Sequence, residues 1–274
     1  MVHRLGSQGD PAMDMSATYA DKAIHEDWES VYRTNPLQDQ FNDLIMDRVM
    51  KLLDPPPDAL FLDAGCGSAN HTARIARRGF RCVGADISGY VLKKAEEKIA
   101  AAGLQAKASF SLQNLEAMSF EDATFDFVYC RGVLMHIPDW ERALGELCRV
   151  LKPGGKIVLF EGNREGVETL LVRLVRRFRE GASRMVEAPG GLEFWSEKDG
   201  NPFVVRVADI RYLAHSLESR DCGDVRRIAA EFWDINRFPG GAVRDGVIRF
   251  NRLWFSLGLP PSPSVGNAVV AEKT

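Results

Sequence analysis

The stretch Leu60-Phe-Leu-Asp-Ala-Gly-Cys-Gly-Ser-Ala-Asn70 decides how this chain is read, together with Asp86, which follows 23 residues after Asp63. Leu60 to Leu62 is a short apolar run of the kind that parallel sheets bury on both faces. Asp63 ends it. Gly65 and Gly67 permit a tight turn and let a ligand approach the backbone, because neither carries a Cβ. From Ala69 the spacing becomes helical, with Ala73, Ile75 and Ala76 on one side and Arg74, Arg77 and Arg78 on the other. Strand, glycine turn and helix form the first half of a nucleotide-binding βαβ unit. The next strand, Arg81 to Ala85, delivers Asp86 where a carboxylate can hold a pair of ribose hydroxyls.

Two ligand classes use this layout. A dinucleotide site needs a third glycine so that pyrophosphate can sit on the helix N-terminus. Asn70 stands at that position, after Ser68 and Ala69. Asp63, directly ahead of the glycines, would repel a pyrophosphate but suits a ligand carrying a cationic amino group. The run Asp63-Ala-Gly-Cys-Gly-Ser-Ala69 resembles motif I of the class I S-adenosylmethionine-dependent methyltransferases, with Ala69 in place of the last glycine. Ala69 is expected to be helical and therefore free of any need for a positive φ.

Downstream segments strengthen that resemblance. A helix capped by Ser88 should run to about Ala102, with Val91, Leu92, Ala95 and Ile99 inward. A strand near 106–112 is followed by Gln113-Asn-Leu-Glu-Ala-Met-Ser-Phe120, where related small-molecule methyltransferases carry an acid that contacts the adenine amino group. Asn114 takes its place here, and an amide oxygen can still accept that hydrogen bond. Phe125 to Cys130 reads as the fourth strand, Arg131-Gly-Val-Leu-Met-His-Ile-Pro-Asp139 as its loop, and Pro138-Asp139 as the start of a helix. Leu151-Lys-Pro-Gly-Gly-Lys156 and Ile157 to Glu161 resemble the family's turn and fifth strand. Val207 to Glu218 reads as a helix, and after it Val225 to Trp233 and Val265 to Ala271 complete the sheet as the sixth and seventh strands.

The implied fold is α/β: a seven-stranded, mostly parallel, doubly wound sheet, with a helical N-terminal segment and inserted lid elements. Residues 1–16 are polar and expected to be disordered, 17–57 form a helical cap, and 58–274 form the methyltransferase domain. Acceptor-side insertions fall at about 164–206 and 235–264. By the resemblance, the cofactor is S-adenosyl-L-methionine, with S-adenosyl-L-homocysteine as product. It would be held by Asp63, Gly65, Cys66, Gly67, Asp86, Ile87, Asn114, Leu115, Glu116, Cys130 and Arg131.

Methyl transfer from a sulfonium asks mainly for proximity and alignment, with a base only where the acceptor must lose a proton. His136, in the loop at the expected mouth, has a suitable unperturbed pKa for that role. Glu161, at the end of the fifth strand, could take a hydroxyl proton, orient an amine or steady a cation. Trp28 and Tyr32, one helical turn apart, either wall the site or pack in the core. Met135 and Arg164 complete the acceptor-side candidates.

Composition sets the outer bounds. The chain has 274 residues, is 45% apolar and 27% charged, and carries a net charge of −3, so a basic nucleic-acid footprint is lacking. No apolar run approaches the roughly 20 residues of a membrane span, and no stable membrane association is expected. Five cysteines without paired spacing read as reduced thiols of a cytoplasmic protein, and neither C-x-x-C nor H-x-x-x-H suggests a metal. Between Arg164 and Arg252 lie fifteen arginines and one lysine against fourteen acids. That balance carries no large positive field, although arginine forks do grip phosphates and carboxylates.

The expected activity is methylation of a small-molecule acceptor, at a hydroxyl oxygen of a sugar or natural product, by a protein for which a homodimer is allowed. The nearest alternative is carbon methylation of an anionic acceptor such as a prenyl diphosphate. From other classes, an NAD-dependent oxidoreductase or a non-catalytic cofactor-binding subunit stay open.

Overall fold

The structure, a computed structural model, describes residues 16–31, 35–176, 184–198 and 201–274. The expected disorder of the N-terminal residues up to 15 and the candidate Tyr32 lie outside the described residues.

Helices α1 (Ser16–Ala20), α2 (Lys22–Val31) and α3 (Pro36–Leu53) precede the first strand. Asn35 caps α3 by accepting the Gln38 N–H, with Pro36 preorganising the first turn. Then β1 (Leu60–Ala64), α4 (Asn70–Arg77), β2 (Arg81–Asp86), α5 (Gly89–Ala101), β3 (Ala108–Leu112) and β4 (Phe125–Arg131) alternate. After the 3-10 turn Leu134–His136 come α6 (Trp140–Val150) and β5 (Leu151–Gly162). The chain continues through α7 (Val167–Arg176), β6 (Arg184–Ala188), β7 (Gly191–Lys198), β8 (Asn201–Ala208), α8 (Ile210–Glu218), β9 (Cys222–Ala229), α9 (Ala242–Ser256) and β10 (Gly266–Lys273).

The main sheet has seven strands in the order β3-β2-β1-β4-β5-β10-β9. All of its pairs are parallel except those made by β10, which runs antiparallel to β5 and β9. Residue alternation divides the core between two faces. Phe61, Phe127, Tyr129, Val158 and Phe160 pack against α3 and α9, while Leu62, Val128, Ile157 and Leu159 pack against α6 and α8. Continued past the last core residues, the same alternation sends Arg131 and Glu161 to opposite faces at the C-terminal edge of the sheet.

Two expectations change, and two further segments take a definite form. Val207 and Ala208 end strand β8 instead of starting a helix, because Asp209 caps α8 by accepting the Arg211 and Tyr212 N–H groups. Strand β9 begins at Cys222 and stops at Ala229, short of Trp233. There the chain leaves the sheet, with the Phe232 and Trp233 N–H groups donated to Asn251 Oδ1 of α9. The first insertion is a three-stranded antiparallel sheet, β6-β7-β8, docked onto the end of β5 through an Asn163–Ala208 bridge. In α7 the leucines face outward: Leu170, Leu171, Leu174 and Val175 are exposed, while Glu168 and Thr169 are buried.

Candidate active site

The glycine turn is fixed to the end of β2 by a small set of bonds. Gly65 and Cys66 both donate their N–H groups to Ala85 O, at 2.7 and 2.9 Å. Asp86 accepts the Gly67 N–H on Oδ2 at 2.9 Å and the Ser88 N–H on Oδ1 at 3.0 Å. One carboxylate thus holds both the turn and the start of α5, with lone pairs left over on each oxygen. The two glycines serve different ends. At Gly65, φ +71°, a Cβ would fall 2.2 Å from Val133 Cγ2, so the constraint is packing. At Gly67, φ +51°, a Cβ would meet no atom within 4 Å, and the space in front of the turn is open.

Ala69 departs from the helical geometry expected of it. Its φ is +62° and ψ +33°, left-handed, directly ahead of α4, and it is fully buried. The position has the conformation that glycine adopts most cheaply, and alanine holds it at a cost of about 1–2 kcal/mol. Asp63 also differs: it lies behind the turn, 3% exposed, away from the cavity. It accepts the Thr72 hydroxyl at 2.6 Å, tying α4 to β1, and burial pushes its carboxyl up to about 6. Its part is to anchor the helix and to add negative potential beneath the turn.

A cavity of about 860 Å³ opens beyond the carboxyl ends of the strands. Gly65, Cys66, Gly67, Asp86, Ile87, Asn114, Leu115, Glu116 and Arg131 all line it, as do Trp28, Met135, His136 and Glu161. Cys130 does not. Its side chain is fully buried in the core beneath β4. Arg164 is also absent from the lining; it faces Asp209 at 3.4 Å, and its N–H is donated to Ala208 O, bracing the insertion. Asn114 Oδ1 accepts the Glu116 N–H at 2.9 Å, an Asx turn that sets the loop.

One wall is aromatic. Trp28 stacks on Tyr19 with centroids 6.2 Å apart and lies 5.0 Å from His136, while His25 meets Trp28 edge-on. Phe203 of β8 closes on His136 at 5.3 Å. His136 Nδ1 lies 3.0 Å from Val204 O, which the protonated Nδ1 tautomer donates to. Burial first, then the Arg206 charge, brings the imidazole down to about 4. Burial thus favours the neutral imidazole, away from the near-neutral titration expected of His136.

On one face of the sheet edge, Arg131 donates to Glu231 at 3.0 Å above the Phe160 ring. The Arg131 Nη1 is buried without a partner. On the other face stands Glu161, 6% exposed, with Oε1 buried and unpartnered. Desolvation pushes its carboxyl up to about 8, against a smaller opposing pull from Arg206. Arg206 itself is spent. Its guanidinium donates to Glu193 Oε1 through Nε and Nη2, and to Leu134 O, Ile137 O and Pro138 O. It therefore rivets the inserted sheet to the turn that carries Met135 and His136. Sequence reading missed Arg206, Glu231, Gln38 and Tyr19. Arg206 did leave a signal, as a lone charge inside the apolar run Phe203 to Val207.

Residues 62–159 match the family described as "Methyltransferase domain". The chain carries a methyltransferase domain. It shares its fold with solved S-adenosylmethionine-dependent methyltransferases. Among curated proteins, the domain is similar to Methyltransferase GfsG of Streptomyces halstedii, 26% identical over 174 residues, covering 61% of this chain and 62% of that protein. It is also similar to a demethylmenaquinone methyltransferase of Shouchella clausii, 30% identical over 149 residues, covering 52% and 63%. Over 103 residues it is 39% identical to a sterol 24-C-methyltransferase of Eremothecium gossypii, covering 37% and 28%. The chain thus spans less than two thirds of the length of each of these relatives. Among solved structures, the magnesium protoporphyrin IX methyltransferase of Synechocystis with bound SAH shares the methyltransferase fold at a TM-score of 0.62 and 14% identity, covering 94% of this chain and 97% of that one. No helix among the described residues is long and apolar enough to cross a membrane.

Proposed function

We propose that the chain transfers a methyl group from S-adenosylmethionine to a small-molecule acceptor held in the cavity above the sheet. The observation that carries this reading is the clamp of Gly67 and Asp86 in front of open space, within a methyltransferase domain. The residues present fit the cofactor. Asp86 keeps lone pairs for two ribose hydroxyls, and Asn114 with the Leu115 backbone suits an adenine edge. Arg131 Nη1 and Gln38 Oε1, both buried and unpartnered, suit the carboxylate and ammonium of a methionyl group. The bound cofactor supplies an activated methyl group and the thioether that leaves.

The chain's own part is alignment and the exclusion of water. Tyr19 and Trp28 of the N-terminal helices cover the cavity together with Phe203 of the inserted sheet, which they pack against and which Arg206 holds in place. Titration of S-adenosylhomocysteine by calorimetry tests the cofactor half of this reading. A labelled-methyl screen of metabolite extracts tests the acceptor half.

A hydroxyl oxygen remains the first acceptor to test. Carbon methylation is the second reading, and one observation favours it: Glu161 Oε1 is buried without a partner, and burial pushes the carboxyl up to about 8, a setting that favours the acid form over a base poised to strip a proton from a hydroxyl.

A further inference from the structure

Glu161 is the cavity carboxylate that the protein leaves alone. It stands one residue before the end of β5, with Oε1 buried and without a donor. The cation whose field reaches it, Arg206, has its whole donor fork engaged by Glu193 and three carbonyls. The Cys130 thiol, beside it on β4, is itself buried and kept protonated. An ionised carboxylate in that setting would have neither a hydrogen bond nor a dedicated counter-ion, which costs several kcal/mol. A protonated one carries an O–H on a residue that lines the cavity, and a buried donor without a partner is costly until a ligand takes it. The Arg206 charge opposes protonation only weakly, and it also acts on any ligand beside Glu161. It disfavours a cationic acceptor beside Glu161 and favours an anionic one.

We infer that Glu161 meets the acceptor as a neutral carboxylic acid, donating a hydrogen bond to an oxyanion of the acceptor. This assigns the acceptor class: an enolisable carbonyl compound or an acidic phenol that binds already ionised. The inference rests on the methyltransferase reading for its reaction, though not for the state of Glu161. In the step itself, the acceptor's electron pair forms the new bond to the methyl carbon, at the enolate carbon or the phenolate oxygen. The S–CH3 pair stays on sulfur, and the oxyanion's charge cancels that of the sulfonium. The Glu161 proton stays on Glu161 throughout, so no base is required.

The test has two parts. Infrared difference spectra between wild type and Glu161→Gln, recorded near pH 7 without ligand, should show a carboxylic-acid C=O band that disappears as the pH rises past about 8. Calorimetry on the S-adenosylhomocysteine complex then compares 4-nitrophenol and acetylacetone with nitrobenzene and benzylamine. At least one of the two acidic probes should bind roughly tenfold or more tightly than the neutral and cationic ones. That advantage should persist within about threefold in Glu161→Gln, whose amide still donates, and be lost in Glu161→Ala. Methylation of 4-nitrophenol at oxygen or of acetylacetone at carbon separates phenols from enols. A carboxylate band in place of the acid band near pH 7, a preference for benzylamine, or no binding of either acidic probe overturns the inference. If S-adenosylhomocysteine fails to bind while the acid band is present, it is the methyltransferase reading that falls.

Discussion

Gly67 donates its backbone N–H to Asp86 Oδ2 at 2.9 Å, so the glycine turn and the acid at the end of β2, both lining the cavity, form one unit. Two consecutive strand ends are thereby locked together, and the cost of ordering them is met during folding. Replacing Gly67 tests the unit from the turn side. Gly67→Val places a β-branched residue at φ +51° and fills the open space in front of the turn. We expect a folded protein, destabilised by about 1–2 kcal/mol, that no longer binds S-adenosylhomocysteine in calorimetry. Normal binding by this variant would remove the turn from the cofactor site.

Ala69 should show its left-handed strain directly. Ala69→Gly relieves the φ penalty while losing one buried methyl, so stability should hold. Ala69→Val should lose about 2 kcal/mol or more. Urea denaturation of the three proteins provides the comparison. Equal stability of the valine variant would contradict the geometry.

The carboxyl of Glu161 titrates at about 8 in the folded protein, against about 4.5 in the unfolded chain. Between those values the folded state binds the extra proton, so stability falls as pH rises through the window. Glu161→Gln removes that penalty. Its melting temperature should match the wild type near pH 4 and exceed it by several degrees near pH 9. Parallel pH dependence of the two proteins would mean that Glu161 is solvated.

His136 is held neutral by burial. Turnover should therefore show no imidazole titration between about pH 5.5 and 7, and His136→Asn should change kcat by only a few-fold. A loss of roughly 10²–10⁴ would restore the histidine as a general base.

Arg206 and Glu193 form a buried pair, with side chains 4% and 13% exposed. Arg206→Met should cost about 3–5 kcal/mol, because it strands Glu193 and the three carbonyls of the 134–138 turn. A milder loss would show the inserted sheet held chiefly by its apolar contacts.

The sheet was legible because its strands are short apolar runs ended by glycine or acid, from Leu60 through Glu161. The glycine turn was legible because few residues other than glycine suit those angles. Side-chain neighbours from distant segments were not legible. Glu231 reaches Arg131 from 100 residues away, and Arg206 reaches the 134–138 turn from about 70. The inserted strands alternate weakly, with Leu192 and Phe194 beside charged neighbours, so that stretch reads only as an insertion. His136 and Glu161 were found as residues, but their protonation states depend on desolvation, which only the assembled fold sets.

The central claim is that the Gly67–Asp86 unit holds the adenosyl part of S-adenosylmethionine, and calorimetry on wild type and Asp86→Ala tests it most directly. Wild type should bind S-adenosylhomocysteine in the micromolar range and show no useful binding of NAD(H). Asp86→Ala should weaken S-adenosylhomocysteine by roughly 1–3 kcal/mol, the scale of hydrogen bonds made to a charged group. Tight NAD binding with no response to S-adenosylhomocysteine, or full affinity in Asp86→Ala, would contradict the account.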